Sequence, residues 1–145
     1  MIYTAMTRRA AEIAEAAHRG QTDKSGFPYI LHPVHLAEQM PDEITAAIAL
    51  LHDVCEDTEI TLAELEAEFP PRVTDALRLL THDKGEDYFE YVRRIRENPD
   101  ALAVKRADLM HNLDDSRILP GTVSGEKRAA MREKYQKALS LLDGR

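Results

Sequence analysis

The sequence predicts an all-α fold, a compact helical bundle of one domain. Three observations carry that expectation. Apolar residues recur at three- and four-residue steps, no segment alternates apolar and polar residues long enough to make a strand, and Gly and Pro interrupt the chain between stretches of helical length. The chain has 145 residues, 43% of them hydrophobic, so residues 1–145 read as one ordinary domain around one core.

The first helix is expected over Ala5 to Ala17, where Ala10, Ile13, Ala14 and Ala17 line one stripe and Gly20 follows as a stop signal. Gln21 to Pro33 carries Gly26, Pro28 and Pro33 without a clean period, which predicts an ordered loop leading into a short helix from Val34 to Met40. Pro33 suits a first helical turn. Asp42 to about Cys55 reads as one helix, and Ala46 to Leu51 is apolar on nearly every side, as in a helix surrounded by others. Thr61 and Glu64 have the spacing of a capping box for a helix to about Phe69, and the Pro70-Pro71 pair precedes a helix from Arg72 to Leu80. Further helices are expected over Asp87 to Glu97, Pro99 to about Leu113 and Gly125 to Leu142, with a polar connection from Asp114 to Ser124.

Charged residues make up 31% of the chain and the formal net charge is -7, a surface without the basic excess that holds a nucleic-acid polymer or an anionic membrane. An acidic protein that receives a small phosphate compound needs a metal ion or a few placed Lys and Arg residues to do so. The opening segment lacks the apolar core of a signal peptide, and no stretch approaches the ~20 apolar residues that span a bilayer, so a cytoplasmic protein is expected. Cys55 is the single cysteine, which excludes an internal disulfide.

Chemistry gathers in three places. In LLHDVCEDTE, Asp53, Glu56, Asp57 and Glu59 crowd a helix C-terminus, where the macrodipole makes each exposed carboxylate unfavourable by roughly 0.3 to 1 kcal/mol. A bound cation removes that cost; a solvated acidic turn is the plainer alternative. Helical spacing would place His52 with Glu56 and Asp53 with Asp57 on adjacent faces. In VKRADLMHNLDD, Lys105, Asp108, Asn112 and Asp115 share a stripe opposite Leu102, Leu109 and Leu113, as they also would in an ordinary amphipathic helix with a Lys105–Asp108 surface pair. His32, between Tyr29-Ile30-Leu31 and Pro33, is a ligand candidate or a structural imidazole. Together, a His, a His-Asp pair and a later Asp offer mixed nitrogen and oxygen ligation suited to a divalent transition metal.

At these residues the sequence resembles the HD superfamily of metal-dependent phosphohydrolases, whose ligand order is His, then His-Asp, then Asp. The segments AHRGQTDKSGFPYILHP, LLHDVCEDT and VKRADLMHN are similar to the hydrolase domain of the RelA/SpoT homologues and to the stand-alone small alarmone hydrolases, in register from about Ala5 to Arg117. The resemblance implies an HD-domain helical bundle that removes the 3′-pyrophosphate of (p)ppGpp. It makes His32, His52, Asp53 and Asp108 the ligands of one Mn²⁺ ion, and Glu56 and Asp57 the pair that activates water. It places Asn112 at the substrate sugar, Lys24 and Ser25 in the loop that meets the nucleotide, and Lys84 within reach of phosphate. It gives His18, His35, His82 and His111 no ligand role, and Cys55 reads as a packed helix residue.

Three departures bear on the substrate. The alarmone hydrolases usually carry a base-stacking Arg before the loop Lys, and this chain has Asp23. Lys105-Arg106 stands where Lys-Leu is common, and THDKGEDYFEYVRRIREN replaces a strongly basic stretch. The expected substrate is therefore a small nucleotide, first a (p)ppGpp-like alarmone, with (p)ppApp, NADPH or a nucleoside monophosphate as alternatives on the same site. A non-catalytic nucleotide-binding module is the alternative of another class.

Overall fold

Thr4 opens the first helix: its hydroxyl accepts the Thr7 N–H at 3.2 Å while Thr7 Oγ1 accepts the Thr4 N–H at 2.9 Å, so two free helix-end donors are satisfied reciprocally. The computed structural model describes residues 1–144, and among them nine α-helices account for the architecture, with one 3₁₀ turn and a single isolated bridge between Thr22 and Pro28. The helices are α1 (Ala5–Ala17), α2 (Leu31–Glu38), α3 (Glu43–Leu51), α4 (Val54–Asp57), α5 (Leu62–Glu66), α6 (Pro71–Leu80), α7 (Tyr88–Ile95), α8 (Pro99–Asn112) and α9 (Gly125–Leu142). The all-helical expectation holds.

α3 is the central element. Every residue from Thr45 to Leu51 is buried, and α1, α2, α6 and α8 pack around it. Leu50, Leu51 and Ile48 are fully covered, at roughly 1.5 to 3 kcal/mol of transfer free energy for each such side chain. α9 lies outside this group, against α7 and α8.

Three boundaries differ from the sequence expectation, and two of them shape the site. The helix expected to run from Asp42 to Cys55 stops at Leu51 and restarts at Val54. The His52 ring is the physical reason: its Nδ1 donates to the Ala49 carbonyl at 2.7 Å, an acceptor that an unbroken helix gives to the Asp53 N–H. The short helix expected from Val34 begins at Leu31, because Pro33 falls at its third position, where no intrahelical donor is required. His32 thus stands in a first helical turn rather than on a loop. Between α4 and α6 the helix is brief, and of the capping box only the half in which Thr61 accepts the Glu64 N–H is made.

Candidate active site

His32, His52, Asp53 and Asp108 come together from α2, the break after α3, and α8. His32 Nε2 lies 2.8 Å from Asp108 Oδ1, while His52 Nε2 lies 3.7 Å from that oxygen and 3.0 Å from Asp53 Oδ2. One ligand atom each from His32, His52 and Asp53 fits within 4.8 Å of the others, and Asp53, Glu56 and Asp57 form a second such group that shares Asp53. His32, His52 and Asp108 are buried, whereas Asp53 is partly open and Glu56 and Asp57 are exposed at the edge.

Electrostatics tie these groups to one another. Burial alone would raise the Asp108 carboxyl, but the Lys105 ammonium and the His32 and His52 imidazoles hold it well below the usual carboxylate range. Burial would likewise lower the His52 imidazole, and Asp53 and Asp108 instead drive it well above its ordinary value. Asp57 is pushed up to about 6 by burial, with Asp53 and Glu56 adding like charge.

His52 Nε2 supplies the test of fit for a metal. Its Nδ1 proton is committed to the Ala49 carbonyl, so its Nε2 faces the Asp53 and Asp108 carboxylates, and this buried nitrogen has no hydrogen-bond partner among the described residues. A proton on Nε2 balances the two carboxylates, and a divalent cation would take that proton's place. Two imidazoles and two carboxylates are a donor set that a divalent transition metal accepts, and the set fits.

Side chains that the sequence reading did not assign support the cluster. The Tyr29 hydroxyl donates to Asp53 Oδ2 and lines the same cavity. His18 packs beside Tyr29, with ring centroids 4.8 Å apart, and Gln21 Oε1 lies 2.8 Å from its Nδ1. His111 Nδ1 meets His32 Nδ1 at 2.7 Å, and burial, aided by the Arg117 cation, pushes the His111 imidazole down to about 3, so it is neutral. His35 stacks on His111 with centroids 4.0 Å apart. His18 and Gln21 are three residues apart, whereas the contacts of His32 and His35 with His111 exist because α2 packs on α8.

The alternative reading of α8, a Lys105–Asp108 pair on the surface, is not what the structure shows. The pair is buried, with Nζ 3.0 Å from Asp108 Oδ2 and 5.2 Å from the centroid of Tyr91. Lys105→Met therefore removes the ammonium and leaves a buried carboxylate, so unfolding of the metal-free protein in urea should show a loss of about 3 to 5 kcal/mol. A midpoint unchanged from the parent protein contradicts this reading of the pair.

His32, Asp53 and Asp108 line a cavity of about 390 Å³, which Lys24, Ser25, Asn112, Glu56 and Asp57 also line, with His52 buried behind them. Asn112 Nδ2 donates to Asp108 Oδ1 at 3.2 Å. Ser25 Oγ accepts the Leu119 N–H at 3.0 Å and contacts Thr122 Oγ1 at 3.0 Å, so this hydroxyl ties two loops together. Asp23 builds the same loop: its Oδ1 accepts the Ser25 and Phe27 N–H groups at 2.9 and 3.0 Å, and Gly26 takes the left-handed conformation, φ 88°, that the tight turn requires. Its other oxygen lies 3.9 Å from Arg117.

Lys84 is not brought to the cavity. Arg94 holds Glu86 at 2.8 Å, and the turn through Gly85 leaves Lys84 exposed to solvent instead of aimed at phosphate. Asp115 also leaves the expected stripe, since α8 ends at Asn112 and Asp115 pairs with Arg128 and Arg132 of α9. The cation missing from residue 84 is replaced by α9, whose Lys134 and Tyr135 line the cavity beside Met131. Cys55 packs partly buried against the core, outside the cavity, and burial raises its thiol, as expected of a packed residue. His82 donates its backbone N–H to Glu56 Oε1 at 2.7 Å. Among the described residues no helix is long and apolar enough to cross a membrane.

The chain is 37% identical over 121 residues to the bifunctional (p)ppGpp synthase/hydrolase SpoT of Escherichia coli K12, 73% of this chain and 17% of that one. It is 33% identical over 118 residues to a guanosine-3′,5′-bis(diphosphate) 3′-pyrophosphohydrolase of Aquifex aeolicus, 73% of this chain and 17% of the relative. A probable GTP pyrophosphokinase of Mycobacterium leprae is 36% identical over 128 residues, 79% of this chain and 16% of its own. The chain thus spans about a sixth of the length of these curated relatives. A solved structure described as a metazoan ortholog of SpoT that hydrolyzes ppGpp superposes with a TM-score of 0.82 at 28% identity, covering 99% of this chain and 89% of that one. The HD domain profile matches residues 10–134, which take in the His, His-Asp and Asp positions and all the helices that bring them together, and the chain belongs to the HD domain family.

Proposed function

We propose that the chain is a manganese-dependent phosphohydrolase of small nucleotides, with the 3′-pyrophosphate of a (p)ppGpp-like alarmone as its substrate. One observation carries the reading: one cavity is lined by His32, Asp53 and Asp108 of the His/Asp cluster, by Glu56 and Asp57 beside them, and by Lys24 and Lys134. Relatives named as pyrophosphokinases match the chain over about a sixth of their length. The metazoan protein described as hydrolyzing ppGpp is matched over 89% of its chain, which favours hydrolysis over synthesis.

His32, His52, Asp53 and Asp108 would hold the ion. When bound, it supplies positive charge to phosphate oxygens and makes water more acidic. Lys105 keeps Asp108 ionised, Tyr29 fixes Asp53, and the Ala49 carbonyl orients His52, so the acceptor atoms stand ready without reorganisation. Asp57, at about 6, is matched to taking a proton from water near neutral pH. Glu56 is steadied by the His82 N–H on one oxygen, which leaves the other for the same water. The water oxygen attacks the phosphorus bonded to the 3′ oxygen, the P–O3′ bond breaks, and pyrophosphate leaves carrying the new oxygen. The 3′ oxygen takes up a proton to become a hydroxyl, which balances the one given to Asp57.

Asp23 keeps a second reading open, in which the same site accepts (p)ppApp, NADPH or a nucleoside monophosphate. Its carboxylate brings negative charge to a cavity meant for an anion. Because Asp23 also builds the loop, Asp23→Asn is the discriminating change: it keeps the acceptor for Ser25 and Phe27 and removes the charge. KM for ppGpp should fall about fivefold, the effect of roughly 1 kcal/mol of relieved repulsion, with kcat unchanged. An unchanged KM for ppGpp together with a raised KM for another of these nucleotides means that the charge serves that other substrate. Screening ppGpp, pppApp, NADPH and nucleoside monophosphates with manganese should give GDP and pyrophosphate from ppGpp at the highest kcat/KM. Higher kcat/KM on any other of these compounds replaces the alarmone by that nucleotide.

A further inference from the structure

We propose that His111 is a positioning residue that dictates which nitrogen of His32 carries the proton, and so makes His32 able to bind a cation. The inference rests on the metal reading above and goes beyond it to a side chain outside the ligand set.

The two imidazoles meet Nδ1 to Nδ1 at 2.7 Å, with rings within 2° of parallel and centroids 5.0 Å apart. One proton fits between those nitrogens. If it sits on His32, then His111 accepts, and the neutral His32 ring turns the lone pair of Nε2 toward Asp108 and His52. If it sits on His111, neutral His32 must carry its proton on Nε2 and donate it to Asp108 Oδ1, 2.8 Å away, which closes that position to a cation. The acceptor at His111 is therefore the switch between a ligand and a blocked nitrogen.

The surroundings hold His111 in this place. His35 stacks on its ring at 4.0 Å and 23°, and Arg117 Nη1 donates to the His111 carbonyl at 2.9 Å where α8 ends. His52 achieves the same result by another route, since the Ala49 carbonyl, which can only accept, takes its Nδ1 proton. His32 has no such carbonyl on Nδ1 and receives an imidazole instead. A partner that accepts at the second nitrogen of a ligating histidine typically contributes 10- to 100-fold in metal affinity.

The test is titration of free Mn²⁺ by electron paramagnetic resonance against the parent protein, His32→Ala, His111→Leu and His111→Asn. Asparagine puts its carbonyl oxygen where histidine has Nδ1, so it restores the acceptor; leucine fills the space without one. His111→Leu should weaken manganese binding about 10- to 100-fold while His111→Asn stays within about threefold of the parent. Thermal midpoints of both metal-free variants should stay within about 4 °C of the parent. Parent-like affinity in His111→Leu overturns the inference, as does equal weakening in both variants, which marks a packing role. If the parent binds no manganese, the metal reading fails and this inference with it; if His32→Ala alone loses the ion, only the inference fails.

Discussion

Asp53→Ala should purify without manganese and without measurable phosphohydrolase activity. Asp53 is shared by both groups of potential ligands, and it is the acceptor of the Tyr29 hydroxyl and the neighbour of His52 Nε2 at 3.0 Å. Alanine removes an oxygen donor and a compensating negative charge together, so the ion loses a ligand while His52 and Tyr29 lose their partner. A bound divalent ion supplies several kcal/mol of transition-state stabilisation, and at about 1.4 kcal/mol per tenfold the rate should fall by about a thousandfold or more. Elemental analysis and product release measure the two losses independently. Full metal content in Asp53→Ala would remove Asp53 from the ligand set.

Glu56→Gln should behave in the opposite way toward metal, retaining the ion while turnover falls about 100-fold or more. Glutamine preserves size and keeps an oxygen to accept the His82 N–H, which glutamate accepts at 2.7 Å, so the turn after α6 should stand. What disappears is a group able to take a proton. Asp57→Asn should lose turnover on the same scale, since that carboxyl, raised to about 6, is matched to taking a proton near neutral pH. If only one of the two substitutions slows the reaction, that residue is the base and its neighbour holds water in place.

The helices were legible wherever local chemistry decides them. α1 and α9 fall where period and stop signals put them, and α8 starts at Pro99, with the Asn98 side chain accepting two N–H groups at 3.0 Å. The break at His52 was not legible, because it depends on a ring turning back onto the Ala49 carbonyl in competition with the backbone. For the same reason the spacing argument that paired His52 with Glu56 on one unbroken helix does not apply. The His, His-Asp and Asp residues could be picked out by type and order, and their convergence follows from helix packing that no local signal encodes. Tyr29, His111 and the α9 side chains were invisible for that reason: Tyr29 meets Asp53 across 24 positions of sequence, and His32 meets His111 across 79. The two readings of Lys105 could not be separated locally, because a lysine three residues before an aspartate is usually a solvated pair, whereas here Tyr88 and Tyr91 enclose it.

The most direct measurement for the whole account is an anomalous difference map from a crystal of the protein loaded with manganese and recorded near the manganese absorption edge. One peak should appear among His32 Nε2, His52 Nε2 and the carboxylates of Asp53 and Asp108, with the His52 Nδ1 to Ala49 bond intact. A map without a peak there, or with manganese only among Glu56, Asp57 and Glu59 outside the cluster, would contradict it.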